Sequence, residues 1–453
     1  MRCGIYPKGG YGGPTRRAAT ARSSSAITVS SAAVFVGRKE AAAQRIAQTA
    51  MLNNAATIRP KVCMTKAIIV GAGMGGLAAA LALHQQGAEV EVYEQAQALR
   101  EVGAGLTLSS GALKCLHGLG VLDDVRRVSS VSARMPFLHY RTAQLLWGEF
   151  DTAQAQAAQP LDDPFVSRHI FRADLQNLLA AQLQARHPGA VHLAHALTAV
   201  DQDGAGVTAT FANGQSARGD MLIGADGLHS VVRAAICGAS PPSFTGQVAW
   251  RFLADGQRAQ PFMSSGRASV FFGPDRVFNR YPLRGGDLLN CVAIVRTPGW
   301  RGEGWSTPGD PLELADLFKG WHADVRALMS LAEPGRLVKW ALAARPALPT
   351  WQDRRVALLG DAAHPMLPFL GLGAAMAIED AAILGRAVAL EAAPQAALAR
   401  YEAARRPRAT AVAQASVQQG LALQARDPDR FIVAQAPVAT RELFDYEPAT
   451  VPM

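Results

Sequence analysis

The 453-residue chain carries 45 Lys and Arg against 36 Asp and Glu, and hydrophobic residues make up 49% of it. That is enough chain for about two or three domains and a large core, and no uncharged apolar run of about eighteen residues marks a membrane-spanning helix. The formal charge of +9 sits almost wholly in residues 1–63, which hold ten Lys and Arg and only Glu40 as an acid; the remainder has 35 bases against 35 acids, so a nucleic-acid partner loses its support.

Residues 1–63 are Gly-, Ala- and Ser-rich, without a sustained apolar face, and are expected to be a disordered or non-native extension preceding a start at Met64. A transit peptide and organelle import are the alternative to a cytoplasmic protein. The five cysteines are scattered, odd in number and without CxxC spacing, which points to a reducing compartment and no metal site.

The organising stretch runs from Lys66 to Glu94. Ala67–Val70 is a β-branched run suited to a parallel strand covered on both faces, and it enters Gly71-Ala72-Gly73-Met74-Gly75-Gly76. In this GxGxxG, Gly71 allows the turn, Gly73 lets backbone approach a pyrophosphate, and Gly76 lets the helix over 77–86 pack close to the strand. The phosphates would rest on the free N–H groups of the helix start. Glu89–Tyr93 alternates as the next strand, and Glu94 stands at the distance expected of an acid holding a ribose hydroxyl.

Further along, 100–108 reads as a loop entering a strand, 110–122 as a helix, 126–150 as short strands and 154–160 as a loop. Arg172-Ala173-Asp174 opens a helix with Leu175, Leu178, Leu179 and Leu183 on one face. Two hairpin turns follow at Asp203-Gly204 and Asn213-Gly214. Met221–Gly224 is a second buried strand, ending in Asp226 and Gly227 at the carboxyl edge of the sheet, where an open α/β fold binds its ligand. Alternation with many aromatic residues over 244–295 predicts an antiparallel sheet, and 312–331 a helix. The strand at 355–359 repeats the first pattern, leading through Gly360-Asp361-Ala362-Ala363-His364-Pro365 and Gly371-Leu372-Gly373 into an Ala-rich helix from Ala374 to about Leu390. A last helix covers about 394–423 and an irregular tail follows.

Three of these stretches together resemble the flavin-dependent aromatic hydroxylases, the single-component FAD monooxygenases typified by salicylate and hydroxybenzoate hydroxylases, from Lys66 onward. The resemblance implies an α/β fold: a Rossmann-like FAD-binding domain (64–140, 165–244 and 350–392), an inserted, mostly antiparallel substrate domain (141–164 and 245–349) and a C-terminal helix and tail (393–453). It assigns FAD contacts to Gly71, Gly73, Gly75, Gly76, Glu94, Arg172, Asp226, Gly227, Gly360, Asp361, Pro365, Gly371, Leu372, Gly373 and Ala374. The stretch Gly224–Arg233 would serve both FAD and a transient NADH or NADPH, consistent with a single GxGxxG. Two departures stand out, Leu372 where the family often has Gln and Ser110-Gly111-Ala112 where it often has Pro-Asn-Ala.

The implied reaction is transfer of hydroxyl from a flavin hydroperoxide to an electron-rich aromatic or N-heteroaromatic ring, with dioxygen consumed and water excluded. Met366–Leu370 would form an apolar wall. Gln247, Trp250, Arg251, Asn279, Tyr281 and Pro365 fall where the family lines its aromatic site, with sheet packing as the bland alternative. For catalysis His364, Tyr281 and Arg251 are weak candidates, and Arg251 or Arg280 could pair a substrate carboxylate. Other functions compatible with the sequence are an FAD dehydrogenase or epoxidase on an apolar substrate, and a non-catalytic escort protein. A homodimer is compatible with the sequence.

Overall fold

The computed structural model describes residues 65–99, 104–132, 135–147, 163–264, 266–300, 307–430, 441–444 and 446–453. The N-terminal extension, the 154–160 loop and the start of the 100–108 segment lie outside them. Among the described residues no helix is long and apolar enough to cross a membrane.

Six strands form the first sheet, in the order Gln352–Asp353, Val356–Leu358, Met221–Gly224, Lys66–Val70, Glu89–Tyr93 and Val191–His192. All pairings are parallel except the first. Both faces are covered, so the strands are continuous apolar runs: Ala67, Ile68 and Ile69, like Leu222 and Ile223, are fully buried. Val70 pairs with Gly224 and Gly224 with Leu358, so the three motif-bearing strands are neighbours that end at the same level. Their exits converge for that reason.

The helix after the first strand spans Met74–Gln85 and is buried from Met74 to Leu83. An Ala- and Leu-rich helix with no polar face suits a position between a sheet and another helix. That neighbour is Gly373–Leu390, which approaches closely because small residues meet: a Cβ on Gly385 would lie 3.1 Å from that of Ala82. Pro394–Leu423 packs outside it, with Pro394 in its first turn and Pro407 tolerated inside.

The second large sheet has eight strands, ordered Thr307–Pro308, Val338–Ala344, Ser243–Asp255, Leu288–Arg296, Arg276–Leu283, Ser269–Gly273, Phe137–His139 and Leu145–Trp147. One face buries Trp250, Phe252, Phe271 and Phe278 against Leu314, Phe318, Trp321 and Leu328. The other face looks toward the three strand exits. The hairpin 137–147 pairs wholly with this sheet, on both sides of residue 140.

Two local expectations are corrected. Residues 126–128 are helical, within Leu122–Val128, where Asp123 and Asp124 in the first turn and Arg126 and Arg127 in the last favour a helix through its dipole. The expected helix over 312–331 is two, Pro311–Leu317 and Ala323–Met329, separated at Gly320 with its φ of +84°.

Candidate active site

Between the three strand exits and the open face of the eight-stranded sheet lies a cavity of about 970 Å³. Gly71 turns with a φ of +103°, and a Cβ there would meet the Ala225 carbonyl oxygen at 2.5 Å. At Gly76 a Cβ would lie 2.0 Å from the Gly71 oxygen, so this glycine serves helix packing and does not line the cavity. Gly73 differs from both. A Cβ on it would meet no protein atom within 4 Å, and Gly73 lines the cavity at the N-terminus of the Met74–Gln85 helix. The opening therefore lies where a phosphate bound to helix N–H groups would sit.

Around that opening the acids are held in place. Glu94 accepts hydrogen bonds from the backbone N–H groups of Ala72 at 2.8 Å and Ala96 at 2.9 Å, locking it to the glycine turn. Asp226 lines the cavity and also caps the next helix, accepting from Ser230 Oγ at 2.5 Å and from the N–H groups of Val231 and Val232. Burial raises its carboxyl above the usual range, and these hydrogen bonds oppose that. Asp361 faces the cavity; the surrounding protein raises its carboxyl, while His364 and Arg172 pull it down. Gly227, Gly360, Pro365, Gly371, Gly373 and Ala374 line the same space, as do Arg172 and the wall from Met366 to Leu370.

Leu372 does not line the cavity. Its side chain is 1% exposed in the core, as an apolar side chain at the start of a buried helix requires, whereas Gly371 and Gly373 on either side present backbone.

His364 also lies behind the wall. Its Nε2 meets Asp380 Oδ2 at 2.6 Å, and the same oxygen accepts from the Gly360 N–H at 3.0 Å. Arg405 Nε donates to Asp380 Oδ1 at 2.7 Å. Burial alone would raise the Asp380 carboxyl, but His364 and Arg405 hold it down at about 2. His364 thus fixes the turn that carries Asp361, and its ring is packed against Trp351.

On the sheet side, Arg251, Asn279 and Tyr281 reach the cavity, but Trp250 and Gln247 do not line it. Successive strand residues point to opposite faces, so Arg251 at the cavity puts Trp250 in the far core, where Lys339 stands over its ring. Gln247 lies within the register shift between Phe244 and Val248 and is buried there. Arg280 is excluded from the cavity by the same alternation: fully buried, it donates to Ser269 Oγ and to the carbonyls of Phe262 and Gly266. Arg251 is left as the arginine on this wall, its guanidinium over the Trp340 ring at 4.9 Å. Burial keeps the Tyr281 hydroxyl protonated well above its ordinary range, with Arg251 opposing.

No sequence motif marks His169. It is fully buried and stacked on Tyr281 with 4.2 Å between ring centroids, and its two nitrogens meet the hydroxyls of Thr107 at 3.2 Å and Ser132 at 3.0 Å. Burial lowers its pKa from 6.5 to about 3. The unfolded chain takes up this proton below the ordinary value and the folded chain only near the depressed one. The contribution is therefore present at neutral pH and lost as pH falls through that window, at about 1.4 kcal/mol per pH unit. In urea unfolding, the loss of stability between pH 7 and 5 should be smaller in His169→Asn than in the wild type by about 2 kcal/mol. Equal losses would mean that the folded protein already accepts the proton.

A parallel sheet whose central strand exits surround a glycine turn, with Glu94, Asp226 and Asp361 at the cavity and a helix start on each side, defines a dinucleotide-binding protein. The residues fit FAD: the space before Gly73 admits a pyrophosphate, Glu94 stands beside the glycine turn, and the start of Gly373–Leu390 offers positive potential to an electron-rich ring. The chain belongs to the FAD binding domain family, whose model matches residues 64–416, and it is an FAD-dependent monooxygenase of the aromatic-ring hydroxylase group. It is 34% identical to the 3-amino-4-hydroxybenzoate 2-monooxygenase PtmB3 of Streptomyces platensis over 80% of this chain and 88% of that one. It is also 34% identical to the 6-hydroxynicotinate 3-monooxygenase of Bordetella bronchiseptica, over 70% and 81%. Among solved structures, Klebsiella pneumoniae HpxO complexed with FAD and uric acid superposes with a TM-score of 0.72 at 27% identity, over 82% of this chain and 92% of that one.

Proposed function

We propose that the substrate is a hydroxylated aromatic or N-heteroaromatic ring bearing a carboxylate, with NADH or NADPH as transient reductant and dioxygen as co-substrate. The observation that carries the reading is Arg251, a guanidinium beside Asn279 and Tyr281 on a wall whose other residues, among them Val277, Val292, Ile294, Leu342, Leu367 and Phe369, are largely apolar. A largely apolar wall that presents one guanidinium favours a flat ring with one anionic end. Relatives whose names specify hydroxybenzoate and hydroxynicotinate rings support it.

FAD, when bound, supplies dioxygen activation and hydroxyl transfer. The chain's own residues orient the ring and keep it dry. Arg251 pairs the carboxylate, and the protonated Tyr281 hydroxyl donates toward the ring oxygen. The buried Asn279 Oδ1, which finds no donor among the described residues, is available to accept from a substrate N–H or O–H. The apolar wall excludes water that would waste the reductant. In this reading the parallel-sheet half (64–136, 165–244 and 350–392) holds the cofactor and the eight-stranded sheet, with the 137–147 hairpin, holds the substrate. The three described cysteines are free thiols, in keeping with a cytoplasmic setting.

Arg251→Met tests the carboxylate assignment. A charge-assisted hydrogen bond contributes about 1.5–3 kcal/mol, so KM for a hydroxybenzoate that stimulates NAD(P)H oxidation should rise about 10- to 150-fold, while KM for the matching phenol without the carboxylate stays the same. Equal changes for both substrates would remove Arg251 from this role.

A further inference from the structure

The departure at Gly111 has a structural counterpart far away in the chain. A Cβ on Gly111 would lie 2.7 Å from the Tyr446 Cβ, 3.1 Å from the Tyr446 carbonyl oxygen and 3.1 Å from Glu379 Oε1. Tyr446 fills the space that a side chain at position 111 would take. Two guanidinium groups stand against its ring, Arg408 at 4.0 Å and Arg405 at 5.1 Å from the centroid. Both arginines bind Glu379, Arg408 through two hydrogen bonds, and Arg408 also donates to the Leu443 carbonyl at 3.0 Å.

Beyond the ring, Lys114 pairs with Glu447 at 3.1 Å, and Arg386 donates to the carbonyls of Pro448 and Val451. These contacts fix the end of the chain to three helices. They also place Phe444 in the wall of the FAD cavity. One buried ionic cluster therefore serves both sides: Asp380 beside Glu379 holds the Gly360–His364 turn, and Arg405 and Arg408 hold Tyr446.

We propose that the C-terminal residues 441–444 and 446–453 form a strap that completes the cofactor site, Phe444 supplying wall and Tyr446 the anchor, so that strap docking and FAD binding favour each other. The inference rests on the cavity being the FAD site. By thermodynamic reciprocity, whatever the docked strap adds to FAD affinity, bound FAD adds to strap docking.

The test compares the wild type with Phe444→Ala, Gly111→Asn, a chain ending at residue 430, and the last two combined, using FAD titration by flavin fluorescence, urea unfolding of the apoproteins and carboxypeptidase digestion. Phe444→Ala should weaken FAD binding about 10-fold, while apoprotein unfolding, which loses only a partly buried side chain at the core edge, shifts by no more than about 5-fold in equilibrium constant, or about 1 kcal/mol. FAD should slow digestion of the wild-type tail by a similar factor. Gly111→Asn should weaken FAD as much as truncation does, and the combined variant should be no weaker than truncation alone, because both remove the same docking. Wild-type FAD affinity in Phe444→Ala, or losses that add in the combined variant, would overturn the strap. A wild type that takes up no FAD would instead overturn the cofactor site itself.

Discussion

Replacing Gly73 by Val should give a protein that folds like the wild type and purifies without colour. Gly73 precedes the Met74–Gln85 helix with φ −68° and ψ 175°, a conformation open to any L residue, and a Cβ there meets no protein atom within 4 Å. What the side chain would meet, with FAD bound as proposed, is the space of the phosphates. FAD affinity should fall about 100-fold or more, a loss of about 3 kcal/mol, while apoprotein unfolding in urea shifts by less than about 1 kcal/mol. Gly76→Ala should do the reverse, since its Cβ would fall 2.0 Å from the Gly71 oxygen and strand and helix must separate before any cofactor arrives. If Gly73→Val bound FAD normally, the pyrophosphate would lie elsewhere.

Arg405→Met should cause the largest loss of stability. Arg405, Glu379 and Asp380 are all fully buried, and the guanidinium contacts both carboxylates, at 3.0 and 2.7 Å. Removing one partner from a buried charge network leaves uncompensated charge and costs about 3–5 kcal/mol. That is a large share of the ~5–15 kcal/mol that holds a domain folded, so the variant should unfold at far lower urea or fail to accumulate. Because Asp380 also holds the Gly360 N–H and His364, residual folded protein should bind FAD weakly. Arg405→Lys keeps the charge without the planar fork and should fall between. A loss under about 1 kcal/mol for Arg405→Met would show that the cluster is less isolated from water than its burial indicates.

How far the sequence could be read follows from how local each signal is. A parallel strand buried on both faces is an apolar run, and its exit needs glycine and an acid, so the strands ending near Val70, Gly224 and Leu359 were legible from a few residues each. The adjacency of those strands, on which the site depends, is a matter of register between segments far apart in sequence. The face presented by each residue of the second sheet was less legible. Alternation makes Arg251 and Trp250 exclusive choices for the cavity, but which one faces it depends on a partner sheet that local sequence does not reveal. His169 was missed because its partners come from separate segments, Thr107 from the strand Gly105–Leu108 and Ser132 from just after Ser130–Val131. The role of Gly111 was hidden for the same reason, since Tyr446 reaches it from the other end of the chain. Leu372 lay within a motif that does meet the cavity, yet its own side chain turned to the core.

The most direct measurement of the central claim, that three neighbouring strand exits hold FAD for ring hydroxylation, is the origin of the oxygen added to product. The purified yellow protein would be given NAD(P)H, labelled dioxygen and a hydroxybenzoate or hydroxynicotinate that stimulates NAD(P)H oxidation. One labelled oxygen per hydroxylated ring is expected, with none from water. Oxidised product that carries no label, or carries oxygen from water, would contradict the account.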